Sequence, residues 1–219
     1  VMATFGAWNV NANADGLRGD ARFGPTYGLA VDANDFVFVA DKSDGIRVIS
    51  PNDYVSTMSL PNGATNDGLT VAISASGALY VGDTYDQHVH VYGQLPTAAP
   101  PLSYEVGVSG TAGTRDGTTT AALFETVRSF FYDALSGDLV ATFYTGDRVR
   151  RLSPDGRIAT WLGSGYAADA DRIGTKASFN LPWQCVVDQN GGTGYVSDQL
   201  NGKIKKATPG GTVTTWVSG

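Results

Sequence analysis

Short apolar stretches alternate along this chain with clusters of turn residues. The first four stretches cover residues 27–32, 36–41, 46–50 and 54–60. They are rich in β-branched and aromatic residues, and several alternate between apolar and polar positions, which is the pattern of β-strands. No sustained apolar stripe with the helical period of 3.6 residues is present. The pattern therefore predicts an all-β protein in which helix is nearly absent.

The same set of stretches recurs along the whole chain. A Thr followed by an aromatic residue or Met returns at intervals of 53, 103 and 55 residues, which fit a period of about 53 residues if the middle interval spans two repeats. These pairs are Thr4-Phe5, Thr57-Met58, Thr160-Trp161 and Thr215-Trp216. Self-similarity at such a period is typical of propellers and other repeat proteins.

Three of the four repeats share a longer signature built around an Ala-x-Phe element. It occupies residues 21–23, 122–124 and 177–179, with an Asp eight residues before each Phe (Asp15, Asp116, Asp171) and another nine after it (Asp32, Asp133, Asp188). The second repeat is shorter and lacks the element. A turn centred on Pro separates the third and fourth stretches at residues 50–53, 153–156 and 208–211, because Pro presets φ for a β-turn.

Four short strands per repeat predict a β-propeller of four-stranded antiparallel blades. We expect one propeller unit over residues 1–219, with blades at 6–60, 61–106, 107–162 and 163–219. Residues 1–5 match a fourth strand, although the last blade already has its own at 213–216. We therefore expect residues 1–5 to belong to a preceding blade of a longer propeller with five or six blades. The alternative is that they pair with another copy of the chain, because a free strand edge is a template for addition.

The repeats resemble the NHL repeat, whose pattern is roughly F-N-x-P-x-G-I-A-V-D, then L-Y-V-A-D, then N-x-R-I-R. The fourth repeat matches at residues 179–182, 186–188, 194–198 and 201–205, and the first at 23–25, 29–32, 37–41 and 46–47. The second has His88-Val89-His90 in place of the basic-Ile-basic element, and the third has Phe143 in place of the strand-ending Asp. The resemblance implies an NHL-like fold across the chain. It leaves function open, since NHL propellers include binding scaffolds, receptor modules and a few enzymes.

Charge and apolar content indicate which partners are not expected. The net charge is -6 and the pI about 4.7, whereas a nucleic-acid binder needs a basic footprint. We therefore expect no nucleic-acid binding. No apolar run approaches the roughly 20 residues that a membrane helix needs, so we expect no membrane insertion. The single cysteine, Cys185, lies in an apolar stretch and is interpreted as a core residue.

Candidate catalytic groups are few. His88 and His90 project to one face of a predicted strand, but a catalytic zinc site needs three protein ligands and the chain has only these two histidines. We interpret them as partly exposed strand residues.

Glu125 follows the repeat Phe near the expected mouth of the central channel, where lactonase-like propellers hold a metal through several convergent ligands. We expect it to pair with Arg128 or to be solvated, and we expect no metal cofactor.

The repeated aspartates are interpreted as turn residues. Asp32, Asp133 and Asp188 end first strands, and Asp41, Asp83 and Asp198 end second strands. Such side chains accept hydrogen bonds from nearby turn N–H groups. The alternative is calcium binding near residues 32–35, although no segment fits the calcium-loop pattern.

Binding is expected on the loops between blades and between second and third strands, because rigid scaffolds place recognition residues on loops. The aromatic residues in or beside these loops are Tyr27, Tyr85, Tyr144, Tyr166 and Trp183. Rings of this kind anchor interfaces, but they could equally cover blade edges.

The acidic, Gly-rich and charge-poor composition favours a non-enzymatic scaffold. We expect it to bind a protein or glycan partner on the loop face, at the cell surface or in an extracellular structure. Self-association through the terminal strand edges is a further expectation. One alternative is a metal-dependent hydrolase or lyase with a site in the central channel, and another is an intracellular scaffold.

Overall fold

A computed structural model describes residues 5, 13–61, 70–83, 87–93, 95 and 100–219. These residues form four antiparallel sheets, and the sole helical elements among them are short 3-10 segments. The prediction of an all-β chain built from four-stranded blades is therefore confirmed. Apart from Phe5, the predicted extra strand at residues 1–5 lies outside the described residues, as does Tyr85.

The strands follow one another in chain order. Blade 1 contains β1 (Gly16–Leu17), β2 (Thr26–Val31), β3 (Val37–Asp41), β4 (Gly45–Ile49) and β5 (Tyr54–Met58). Blade 2 contains β6 (Thr70–Ile73), β7 (Leu79–Asp83), β8 (His88–Tyr92) and β9 (Leu102–Gly107). Blade 3 contains β10 (Gly117–Thr118), β11 (Val127–Asp133), β12 (Asp138–Phe143), β13 (Arg148–Leu152) and β14 (Arg157–Leu162). Blade 4 contains β15 (Pro182–Val187), β16 (Gly194–Asp198), β17 (Lys203–Ala207) and β18 (Val213–Ser218).

The four longer strands of each blade form a meander, and in blades 1 and 3 a two-residue strand pairs with the last of them. The sheet orders are β1-β5-β4-β3-β2, β6-β7-β8-β9, β10-β14-β13-β12-β11 and β15-β16-β17-β18. The predicted Pro-centred turns close between the last two strands of blades 1, 3 and 4. Their hydrogen bonds run from the Asp53, Gly156 and Gly211 N–H groups to the carbonyls of Ser50, Ser153 and Thr208.

Cα distances divide the chain into two compact units. One contains Val1–Asp83 with His90–Ser103, and the other contains Thr84–Val89 with Tyr104–Gly219. In the first unit β2 packs against β6, and in the second β11 and β12 pack against β15. The single-domain boundary over residues 1–219 stays a prediction.

Each unit has its own apolar core. In the first, the buried side chains of Phe38, Ile46 and Leu79 pack together. In the second, Phe179 and Cys185 belong to the core. Cys185 is fully buried, and burial raises the pKa of its thiol to about 12. Its interpretation as a small core residue is therefore confirmed.

The turn aspartates cap the backbone as predicted. Asp32 accepts hydrogen bonds from the N–H groups of Asn34 (2.9 Å) and Phe36 (2.8 Å). At the equivalent turns, Asp133 accepts from Leu135 N–H and Asp188 from Asn190 N–H, both at 3.1 Å. These contacts fix the first hairpin of each blade.

The segment before each of three blades folds back on that blade's outermost strand, which the sequence pattern did not predict. In blades 1 and 3 it adds the two-residue strands β1 and β10, and in blade 4 it forms an isolated bridge between Ile173 and Thr212. The repeated Asp that precedes Ala-x-Phe binds the repeated Thr of the last strand. Asp15, Asp116 and Asp171 each accept hydrogen bonds from both the N–H and the hydroxyl of their Thr (Thr57, Thr160, Thr215).

The same aspartates neutralise a buried cation on the third strand. Arg47, Arg150 and Lys205 are almost wholly buried, and their nitrogens lie 2.9, 2.9 and 3.1 Å from the carboxylates of Asp15, Asp116 and Asp171. Each cation also lies over the Phe of its Ala-x-Phe element, at 5.2, 5.3 and 5.8 Å from the ring centroid. We call the segment from this Asp to the Phe of the Ala-x-Phe element the strap, at residues 15–23, 116–124 and 171–179. Its hydrogen bonds and ion pair join it to the third and last strands of its blade.

Candidate functional site

Strands β2, β11 and β15 share a β-bulge near their first residues. The register shifts between Thr26 and Leu29, between Val127 and Ser129, and between Pro182 and Gln184. A bulge re-aims the side chain that it carries and is common beside functional sites. The side chains at these bulges belong to Tyr27, Arg128 and Trp183, each five residues before the turn Asp of its blade.

The bulge residues of blades 3 and 4 meet at an aromatic cluster. The Arg128 guanidinium carbon lies 3.6 Å from the centroid of the Trp183 ring. The Tyr144 ring meets Trp183 edge to face, with centroids 5.6 Å apart. We call Arg128, Tyr144 and Trp183 the bulge cluster.

A backbone hydrogen bond positions Tyr144 within the bulge cluster. Tyr144 directly follows β12, and its N–H donates to the Thr126 carbonyl at 2.9 Å, beside the bulge. Trp183 nevertheless keeps 40% of its surface exposed. A large ring that is packed against neighbouring side chains and remains accessible is a favourable contact for a ligand, because packing limits the side-chain entropy lost on binding.

The other predicted binding residues have different surroundings. Tyr27 occupies the bulge of blade 1 and is 48% exposed. Tyr166 lies in the connection between β14 and β15 and is 77% exposed. The structure therefore brings Tyr144 and Trp183 together. It adds Arg128, which sequence reasoning considered only as a partner for Glu125. The constant five-residue offset to the turn Asp was the signal that could have identified the bulge position.

Glu125 lies beside the bulge cluster in sequence. Among the described residues its Oε2 atom is buried without a hydrogen-bond partner. Burial raises the pKa of Glu125, while Arg148 and Arg150 oppose the shift and Asp147 adds to it. A carboxyl in this setting holds its proton to higher pH than a solvated one.

The histidines are buried, so the interpretation of partly exposed residues was wrong. His88 is 8% exposed and His90 4%. His90 takes the third-strand position that Arg47, Arg150 and Lys205 occupy in the other blades, which is an interior position. Within the described part of the chain, no group of three or more His, Cys, Asp or Glu side chains could hold a metal ion.

Among the described residues, the second unit has at least two open clefts. One, of about 580 Å³, includes Asp133, Arg151 and Trp161 in its lining. Arg151 contacts two other lining residues, since its guanidinium lies 2.7 Å from the Asp133 carboxylate and 4.1 Å from the Trp161 ring centroid. These contacts engage the charged groups of Asp133 and Arg151 with each other.

The other cleft, of about 530 Å³, runs across one face of blade 4. Its lining includes Trp183, Ser197, Lys203, Ile204 and Val217. Trp183 therefore belongs both to the bulge cluster and to the lining of this cleft. The remaining lining follows neighbouring strands, since Ser197 faces Ile204 and Ile204 faces Val217.

No family model and no curated protein matches this sequence. Solved structures do match the fold. The chain is similar to an auxiliary nutrient binding protein from Bacteroides thetaiotaomicron, with a TM-score of 0.70 and 16% identity, over 89% of this chain and 49% of that one. A protein of the same description from Bacteroides ovatus matches with a TM-score of 0.70 and 17% identity, over 90% and 50%.

A catalytically inactive virginiamycin B lyase from Staphylococcus aureus is also similar, with a TM-score of 0.52 and 15% identity, over 95% of this chain and 72% of the lyase. At these identities the likeness shows the β-propeller fold alone. The chain spans about half the length of the two nutrient binding proteins. Membership of the NHL family stays a prediction. Among the described residues, no helix is long and apolar enough to cross a membrane.

Proposed function

We propose that this chain is a non-enzymatic binding module of NHL-propeller type that recognises a glycan or protein partner through the bulge cluster. The observation that carries the proposal is Trp183, an exposed ring fixed by Arg128 on its face and Tyr144 at its edge. Trp, Tyr and Arg are the side chains that dominate binding energy at interfaces. The nutrient binding proteins of the same fold are consistent with such a role.

We further propose that the module acts outside the cell or at its surface. The acidic, charge-poor composition with 28 glycines supports this location. A metal-dependent hydrolase or lyase is the less favoured function, because the described residues bring together no three metal ligands.

A glycan array and a protein array probed with the biotinylated chain test the proposal. Each reproducible ligand is then titrated into the wild type, Trp183→Ala and Tyr54→Ala. Tyr54 is a matched control, since it is 46% exposed on the outer strand of blade 1, outside the cluster. We expect Trp183→Ala to weaken binding about tenfold or more, as loss of an interface anchor does, and Tyr54→Ala to bind normally.

Arg128→Ala should weaken the same ligand, because the Trp183 ring loses the group stacked on it. Ligands that bind equally well to Trp183→Ala would exclude the bulge cluster as the site. Chemical conversion of a bound ligand, detected by mass spectrometry, would show an enzyme instead of a binding module.

A further inference from the structure

Blades 1 and 2 show how the first strand of one blade covers the blade before it. The side chains of Ala40, Ile46 and Met58 lie on three neighbouring strands and are at most 5% exposed. They share a core with Val71 of β6, and Ile73 of the same strand packs against it. The first strand of blade 2 therefore covers this row of blade 1.

Blade 3 repeats the arrangement with blade 4. The equivalent row is Thr142, Val149 and Leu162, each fully buried. Cys185 and Val187 of β15 belong to the same core as Val149 and Leu162. The covering strand again contributes two apolar side chains at alternate positions.

In blade 4 the same row is uncovered. It consists of Ser197, Ile204 and Val217, which line the cleft described above. Ile204 is 37% and Val217 47% exposed, whereas their equivalents in blade 3 are fully buried. We call these three residues the acceptor row.

The matching covering strand is uncovered in blade 1. Leu29 and Val31 of β2 hold the positions of Val71 and Ile73 in blade 2 and of Cys185 and Val187 in blade 4. Leu29 is 68% exposed and Val31 57%. We call this pair the donor pair.

We propose that the acceptor row of one copy binds the donor pair of a second copy. The two surfaces are the two halves of a contact that the chain already makes twice internally, and both expose apolar side chains, namely Ile204 and Val217 on one and Leu29 and Val31 on the other. Exposed apolar patches of this kind mark interaction surfaces. The contact is heterologous, because the two copies contribute different surfaces to it.

Blades 1 and 4 differ at one position of this contact. Trp161 of blade 3 packs against Gly194 of blade 4, where an added Cβ would lie 2.7 Å from the ring. Trp216 is the equivalent of Trp161, but blade 1 has Val37 at the position of Gly194. Val37→Gly should therefore strengthen the self-association by making room for the ring.

Sedimentation of the 219-residue chain over a range of concentrations tests the proposal. We expect the wild type to associate, and Leu29→Asp and Val217→Asp each to be monomeric. These exposed positions tolerate charge in the monomer, and circular dichroism checks that each variant is folded. Leu135→Asp is the matched control, because Leu135 is 56% exposed in the turn after β11 and should leave association unchanged.

Mixing the two monomeric variants gives the decisive result. Leu29→Asp keeps an intact acceptor row and Val217→Asp keeps an intact donor pair, so an equimolar mixture should form a dimer through one restored contact. A monomeric wild type, or a mixture that stays monomeric, would overturn the proposal. A symmetric contact between two acceptor rows is likewise distinguished, since Leu29→Asp would then leave association intact.

Discussion

Three buried cations define the residue-scale chemistry of the fold. Arg150 is 1% exposed and donates to the carbonyls of Leu123 and Arg115, both at 2.8 Å, as well as to Asp116. Burial lowers the pKa of Arg150, and Asp116 opposes that shift. A buried charge is tolerated only when it is paired and hydrogen-bonded, so the strap Asp is the group that keeps this cation in the interior.

Removing that carboxylate should destabilise the protein. We expect Asp116→Asn to lower the free energy of unfolding by about 1–3 kcal/mol, because Arg150 stays buried while its counter-charge is lost. The value lies below that of a fully buried pair, since the Asp116 side chain is 45% exposed. Urea denaturation measures it. Asp155→Asn, in an exposed turn, is the control and should change stability by under about 0.5 kcal/mol.

Two lysines of blade 4 and their partner Asp169 predict that the stability of the protein depends on pH. Hydrogen bonds from Lys203 and Lys205 hold the pKa of Asp169 below its usual value, with burial a smaller opposing effect. A lowered folded-state pKa means that the ionised form stabilises the fold above the unfolded pKa of about 3.9, and that this contribution disappears as the pH falls through the folded pKa.

We therefore expect Asp169→Asn to be less stable than the wild type at pH 7, and the difference to shrink as the pH falls below about 4. Urea denaturation of both proteins at neutral and acidic pH measures the difference. A gap that stays constant across this range would show that Asp169 contributes through its shape and not through its charge.

At the scale of elements, the strands and their turns could be predicted from local sequence. The turn aspartates and the Pro-centred turns act within a few residues, so their patterns are visible in the chain. The straps were harder to predict, because their contacts join residues that are distant in sequence. Asp116 and Thr160, for example, are 44 residues apart and are joined by a hydrogen bond of 2.9 Å. Both members of each pair were recognised as repeats, but the offset alone does not say that they touch.

The bulge cluster escaped prediction for a related physical reason. Alternation assigns side chains to faces by counting, and a β-bulge breaks the count at Arg128 and Trp183. The aromatic residues Tyr144 and Trp183 were identified by type, whereas Arg128 required the register of β11 and β12. The burial of His90 was missed because basic and polar side chains are usually solvated, and the interior character of this third-strand position shows only in the structure, where Arg47, Arg150 and Lys205 are also buried.

The contact between blades 3 and 4 supplies a prediction at this scale. Gly194 leaves room for the Trp161 ring, and the Arg151 guanidinium lies over the same ring. Gly194→Ala should cost about 1–3 kcal/mol of stability, as overpacking does. Combining it with Trp161→Phe should recover part of the loss in a double-mutant cycle. Additive losses measured by urea denaturation would contradict this packing contact.

At the scale of the whole molecule, charge decides which polymers can bind. The chain carries 15 Lys and Arg against 21 Asp and Glu. Several of the cations are already engaged inside the protein. Arg47, Arg150 and Lys205 are buried, and Arg18, Arg151 and Lys203 are paired with Asp53, Asp133 and Asp169.

This distribution predicts that the protein does not bind DNA or RNA at physiological salt. Binding to nucleic acid gains most of its free energy from phosphate contacts that release counterions, and these contacts require accessible cations in excess of anions. A net charge of -6 repels the phosphate backbone instead. Gel-shift titrations with single-stranded RNA and duplex DNA should show no complex, and a tight complex that weakens steeply with added salt would prove this prediction wrong.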